Sequence, residues 1–162
     1  MEFKQASEIY SLNKSTYVNL RWIGILGQLI TINSVKFIFN FDFDFLSANL
    51  IIFIGAISNI FLISNYKKTQ LSNRSAFYFL LIDIIQLSLL LFLTGGVVNP
   101  FSVFLLIPSV FASSNLKIKT NLLLIFVTLI SIIFLTFLSL DLPKPLSDHF
   151  HISPYYYYAI PT

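Results

Sequence analysis

The sequence predicts an all-α integral membrane protein, a polytopic helical bundle, on three observations. The chain is 56% hydrophobic and only 10% charged, with a mean hydropathy of +0.82, far from the composition of soluble domains. Its apolar residues gather in five runs, at about 20–39, 45–65, 76–94, 99–115 and 121–140, each close to the ~20 residues that cross hydrocarbon. The connectors alternate in charge. Lys4, Lys14, Arg21, Lys67, Lys68, Arg74, Lys117 and Lys119 fall on one side, and Asp42, Asp44, Asp141 and Asp148 on the other. The positive-inside rule makes the N-terminus cytoplasmic and the turn near residue 95 periplasmic.

Residues 1–18 mix Glu2, Lys4, Glu8 and Lys14 with single apolar residues and read as a cytoplasmic lead-in at the membrane surface. The first run continues past position 30 through Gly24 and Gln28 with no small-residue cleavage pattern, so it is an uncleaved span opening the transmembrane domain at 19–140. Arg21 and Trp22 at its start are expected as interface anchors. Gln28 is expected to pair with a neighbouring helix.

In the third run Asp83 stands eleven residues before Thr94, roughly 16 Å from the outer end and near the midplane. A carboxylate there costs ~2.5–3.5 kcal/mol. Asp83 is therefore expected to be neutral or hydrogen-bonded, with Gln28, Asn59 or Ser58 as partners, and to tolerate Asn. Helical spacing puts Asp83, Gln86, Leu90 and Thr94 on one face.

Gly95 and Gly96 accept positive φ and stop the third helix near Thr94. Asn99 suits an N-cap and Pro100 the first helical position. The N–H groups of Phe101, Ser102 and Val103 are then expected to be free, forming a donor site for a carbonyl oxygen beside an aromatic ring. In the fourth run Pro108 should leave the Phe104 carbonyl unpaired and kink the helix, as a packing feature or a hinge. Residues 141–162 read as a periplasmic loop and the start of a sixth span whose remainder is missing, with Tyr155–Tyr158 as an aromatic belt. Asp148, His149 and His151 form too sparse a set for a metal and read as solvated loop.

Taken as a motif, Gly95-Gly96-Val97-Val98-Asn99-Pro100-Phe101 is a GGxxNPF heptapeptide, and it resembles the quinone-sensing loop of the RegB/PrrB/ActS redox-responsive sensor histidine kinases. Leu20-Arg21-Trp22 followed by Gly27-Gln28 is similar to the RW...GQ signature of that family's first membrane helix, and Asp83 to Leu93 to the D-x-x-x-L stretch before its heptapeptide. The resemblance covers roughly residues 17–140. It implies the membrane sensor region of a two-component kinase in the bacterial inner membrane. A quinone, ubiquinone the expected one, would bind at Gly95, Gly96, Asn99, Pro100 and Phe101. Signalling or supporting roles are expected at Asp83, Gln86, Thr94, Arg21, Trp22, Gln28 and Pro108. The implied partners are the quinone pool, the bilayer, a second copy of the chain, and a cognate response regulator reached through a cytoplasmic kinase portion outside these residues.

The chain has no cysteine, which excludes disulfides and thiolate metal sites. It carries no Walker loop, GxGxxG, HExxH or Ser/His/Asp set, and its connectors are too short for a catalytic domain. These residues perform no phosphotransfer. A net charge of +3 is too small to argue for direct nucleic-acid binding. Two other readings fit the composition: a small transporter or channel using Asp83 with a kinked fourth helix as gate, and a structural subunit of a respiratory membrane complex.

Overall fold

The computed structural model describes residues 12–145. Asp148, His149, His151, Tyr155–Tyr158, the expected sixth-span start and residues 1–11 of the lead-in lie outside the described residues. Five α-helices carry the fold: α1 Lys14–Phe37, α2 Phe45–Asn65, α3 Asn73–Leu93, α4 Ile107–Asn115 and α5 Ile118–Leu138. Two 3-10 segments, Gly96–Val98 and Pro100–Leu106, join α3 to α4.

Local chemistry sets the helix starts. Asn13, Asp44 and Ser72 accept from the backbone N–H groups of Thr16, Ser47 and Ser75 at 3.2, 3.1 and 3.2 Å, each an N-cap of the preferred residue types. Short antiparallel bridges tie the connectors: β1 (Leu12–Asn13) with β3 (Gln70–Leu71), and β2 (Phe41–Asp42) with β4 (Lys144–Pro145). The Lys14 ammonium donates to the Ile63 and Tyr66 carbonyls at the end of α2, where a cation suits the helix dipole. Residues 12–18 thus belong to the bundle, and α1 begins six residues before the expected start of the first span.

α3 is the hub. Its Leu80, Ile84, Leu87 and Leu91 are buried with Leu105, Ala112, Leu124 and Leu135 of the following segments. Leu90 of the same helix joins Ile25, Ile32, Ala48 and Ile52 in a second cluster with α1 and α2. Outward faces are equally apolar: on α5, Leu122, Phe126, Leu129, Ile133 and Phe137 are all exposed. A helix apolar on every side belongs in lipid.

Among the described residues, three helices, α2, α3 and α5, are long and apolar enough to cross a membrane. The chain is an all-α membrane protein, but the five spans expected from the sequence reduce to three by these two criteria. α1 is long enough but carries Asn19, Arg21, Gln28 and Asn33 along its length. The fourth run, Pro100–Asn115, is too short as an α-helix. Here the helix changes type at Pro108, from 3-10 over Pro100–Leu106 to α over Ile107–Asn115. Pro108 has no N–H to give the Phe104 carbonyl, and Ile107 N–H takes that carbonyl instead. The i to i−3 bond winds residues 100–106 as 3-10 helix. The Phe104 carbonyl is therefore paired, correcting the expectation.

Among the described residues, six basic residues including Lys14 gather at one end, while Lys36, 3.7 Å from Asp42, and Lys144, opposite Asp42 in the β2–β4 bridge, lie at the other. Lys67 and Lys68 lie in the α2–α3 connector, and Arg74, Lys117 and Lys119 at the starts of α3 and α5, which touch through Asn73. Asp42, Asp44 and Asp141 lie at the other end, beside the glycine turn.

Candidate functional site

The turn after α3 is a locked structure. Gly95 and Gly96 hold φ of 106° and 59°, the region glycine enters without penalty. Both also face the chain leaving α5. A Cβ on Gly95 would lie 2.5 Å from Leu142 Cδ1, and one on Gly96 would meet the Ser139 side chain and lie 2.6 Å from the Leu135 carbonyl oxygen. Leu140 N–H donates to the Phe92 carbonyl at 2.9 Å, holding the end of α5 against the end of α3.

Asn99 closes the lock. Its amide donates to the Thr94 carbonyl and to Thr94 Oγ1, both at 2.9 Å, while its Oδ1 accepts from Phe101 N–H at 2.9 Å. Thr94 Oγ1 in turn donates to the Leu90 carbonyl at 2.9 Å. Ser102 N–H donates to the Asn99 carbonyl. The capping role of Asn99 is as expected, but its amide is not a free donor, and the N–H groups of Phe101 and Ser102 are satisfied within the turn. A cap that bonds its own orphan donors leaves none of them for a ligand. What the turn does present is aromatic surface: Phe101, 41% exposed, lies 5.7 Å from the Phe104 ring at 43°, with Pro100 exposed beside them.

A second constellation lies on the same α3, eleven residues earlier and roughly 16 Å away. Arg21 is not an interface anchor. It is buried, with Nη2 2.8 Å and Nε 2.9 Å from Asp83 Oδ1. The Tyr17 hydroxyl donates to Asp83 Oδ2 at 2.5 Å, and Arg21 Nη2 to Ser58 Oγ at 3.1 Å. The guanidinium carbon sits 5.6 Å from the Tyr17 ring centroid and 5.8 Å from that of Phe79, the range of cation–π attraction. α1, α2 and α3 meet in this one network.

The expected partners of Asp83 go elsewhere. Gln28 accepts from Gln86 at 3.0 Å, Asn59 donates to the Val18 carbonyl at 3.3 Å, and Ser58 is held by Arg21. Gln86 reaches Gln28 because α2 has Gly55 in its path, where a Cβ would stand 2.5 Å from Gln86 Oε1. Trp22 is half-buried between the two apolar clusters. Pro108 is buried, and neighbouring Ser109 meets Thr128 of α5 through hydroxyls 2.9 Å apart. The structure therefore separates the candidates: Gly95, Gly96, Thr94, Asn99, Pro100 and Phe101 at the turn, Arg21 and Asp83 in the network with Gln28 and Gln86 further along α1 and α3, and Pro108 apart. Tyr17 escaped sequence reading because it precedes the first apolar run; its spacing of four from Arg21 was the available signal.

Over 110 residues, 67% of its length, the chain is 30% identical to the sensor histidine kinase RegB of Cereibacter sphaeroides. The matched region is 24% of that relative, so the chain spans about a quarter of its length. No protein-family model matches the chain. No solved structure matches it.

Proposed function

We propose that this chain is the membrane sensor region of a redox-responsive sensor histidine kinase, binding the ring of a quinone, ubiquinone the expected one, against Phe101 and Phe104 beside the glycine turn. The observation that carries the reading is the exposed aromatic pair on a turn held rigid by Asn99. A quinone head is flat and apolar, and an edge-to-face or offset ring contact suits it. Asn99 acts as a positioning residue that fixes Phe101 and ties it to Thr94 at the end of α3. Gly95 and Gly96 let the end of α5 close on the turn. α3 then links ring occupancy to Asp83 and, through Arg21, to α1.

The same reading takes α1 and residues 100–115 as crossing segments, giving five spans. α1 is about 36 Å long at 1.5 Å per residue, and the mixed 3-10 and α segment reaches about 27 Å, close to the hydrocarbon thickness of ~30 Å. The basic end then faces the cytoplasm of a bacterial inner membrane and the turn the periplasm. A homodimer and a cytoplasmic kinase portion passing phosphate to a response regulator complete the proposal. Titration calorimetry of the detergent-solubilised chain with a short-chain ubiquinone tests it. Saturable binding weakened about tenfold by Phe101→Ala supports the docking face, and equal affinity in the variant refutes it.

A further inference from the structure

Where α3 and α5 begin, a cavity of about 360 Å³ opens between them, its rim formed by Asn73, Arg74, Lys119 and Thr120 and its inner wall by Phe77 and Leu123 one turn deeper. We infer that this cavity binds the phosphate headgroup of an anionic phospholipid, with the acyl chains running down the apolar surface between α3 and α5.

The charges make the case. Among the described residues the side chains of Arg74 and Lys119 form no ion pair and no hydrogen bond. Each is the second residue of its helix, where the dipole presents its positive end and a cation is disfavoured. Neither helix has an acid in its first turn, and α5 starts without a side-chain cap. Two cations held against two positive helix ends are a local conflict that an anion resolves. The geometry is also built. Asn73 donates to Thr120 Oγ1 at 2.8 Å and accepts from Lys117 N–H at 2.9 Å, fixing the two helix starts side by side. Below this polar rim the walls turn apolar within one turn, which suits a phosphate ester bearing acyl chains better than a free anion. Basic pockets between membrane helices recognise anionic headgroups in this way.

Native mass spectrometry of the full chain in neutral detergent decides it, independently of the quinone reading. Phosphatidylglycerol is expected to bind at least tenfold tighter than phosphatidylcholine of the same chains. Arg74→Gln with Lys119→Gln should weaken phosphatidylglycerol about thirtyfold, whereas Lys67→Gln with Lys68→Gln, an equal charge change in another connector, should weaken it less than threefold. Millimolar inorganic phosphate should not displace the lipid. Equal affinity of wild-type protein for the two lipids overturns the proposal whatever the variants do. So does an equal loss in both double variants, which would mean general electrostatics, or displacement by phosphate, which would mean a free-anion site.

Discussion

Arg21 and Asp83, 62 residues apart in the chain, meet at 2.8 Å between α1 and α3 with side chains 5% and 19% exposed. Backbone packing between these two helices is sparse compared with that of α1 on α2 or of α3 on α5, so the Arg21–Asp83 pair, the Tyr17–Asp83 bond and the Gln28–Gln86 bond are their main polar links. Removing one member leaves an uncompensated buried charge. Asp83→Asn is expected to destabilise the bundle by ~3–5 kcal/mol, against the near-normal folding expected from sequence. Arg21→Met with Asp83→Leu should recover most of the loss, since an apolar pair carries no desolvation penalty. Unfolding in mixed micelles measures both, and a loss below ~1 kcal/mol for Asp83→Asn would show that the pair contributes little.

Gly96 tests the closeness of α5 to the turn. With φ of 59° and the Leu135 carbonyl in the path of a Cβ, Gly96→Ala should cost at least ~2 kcal/mol. Gly24, with nothing within 4 Å of its Cβ position, should be neutral or gain up to ~1 kcal/mol on replacement by Ala. Equal effects in thermal melts would mean that the turn is not closed by α5.

Asn99→Ala deletes two bonds to Thr94 and the cap on Phe101 N–H, an expected loss of ~1–3 kcal/mol. Asn99→Asp keeps the cap acceptor but not the donors to Thr94 and should fall between. Amide exchange at Phe101 and in the last turn of α3 reports which half of the lock has opened; unchanged protection in Asn99→Ala would contradict the lock.

The start of α2 should be acid-sensitive. Hydrogen bonds from Ser47, side chain foremost and backbone next, hold the Asp44 carboxyl below its ordinary value. A group whose folded value is lowered stabilises fully above its unfolded value, near 3.9, and loses that contribution as pH falls through the folded value. Protection of the Ser47 amide should therefore drop as pH falls below about 4 in the wild type. It should stay flat in Asp44→Ser, whose cap does not titrate.

Much of this was legible. The apolar runs located α2, α3 and α5, and Gly95, Gly96, Asn99 and Pro100 declared the turn, because capping and positive φ are properties of single residues. Partnerships were not legible. Periodicity assigns Asp83 to a face of α3 but does not say that Arg21, on a helix packed mainly against α2, reaches across to it. Nor does it show that the Asn99 amide turns back to Thr94, a bond that exists only once the turn has closed. Pro108 announced a break, and the type of break, 3-10 winding upstream, depended on Ile107 taking over the Phe104 carbonyl.

In the proposed function a quinone ring rests on the Phe101 face of the turn. Photolabelling the full chain in lipid nanodiscs with an azido-quinone, followed by peptide mapping, tests it most directly. Adducts are expected within residues 95–104, suppressed by excess short-chain ubiquinone and lost in Phe101→Ala. Adducts that instead map around Asp83 and Gln86, or that survive competition, would contradict it.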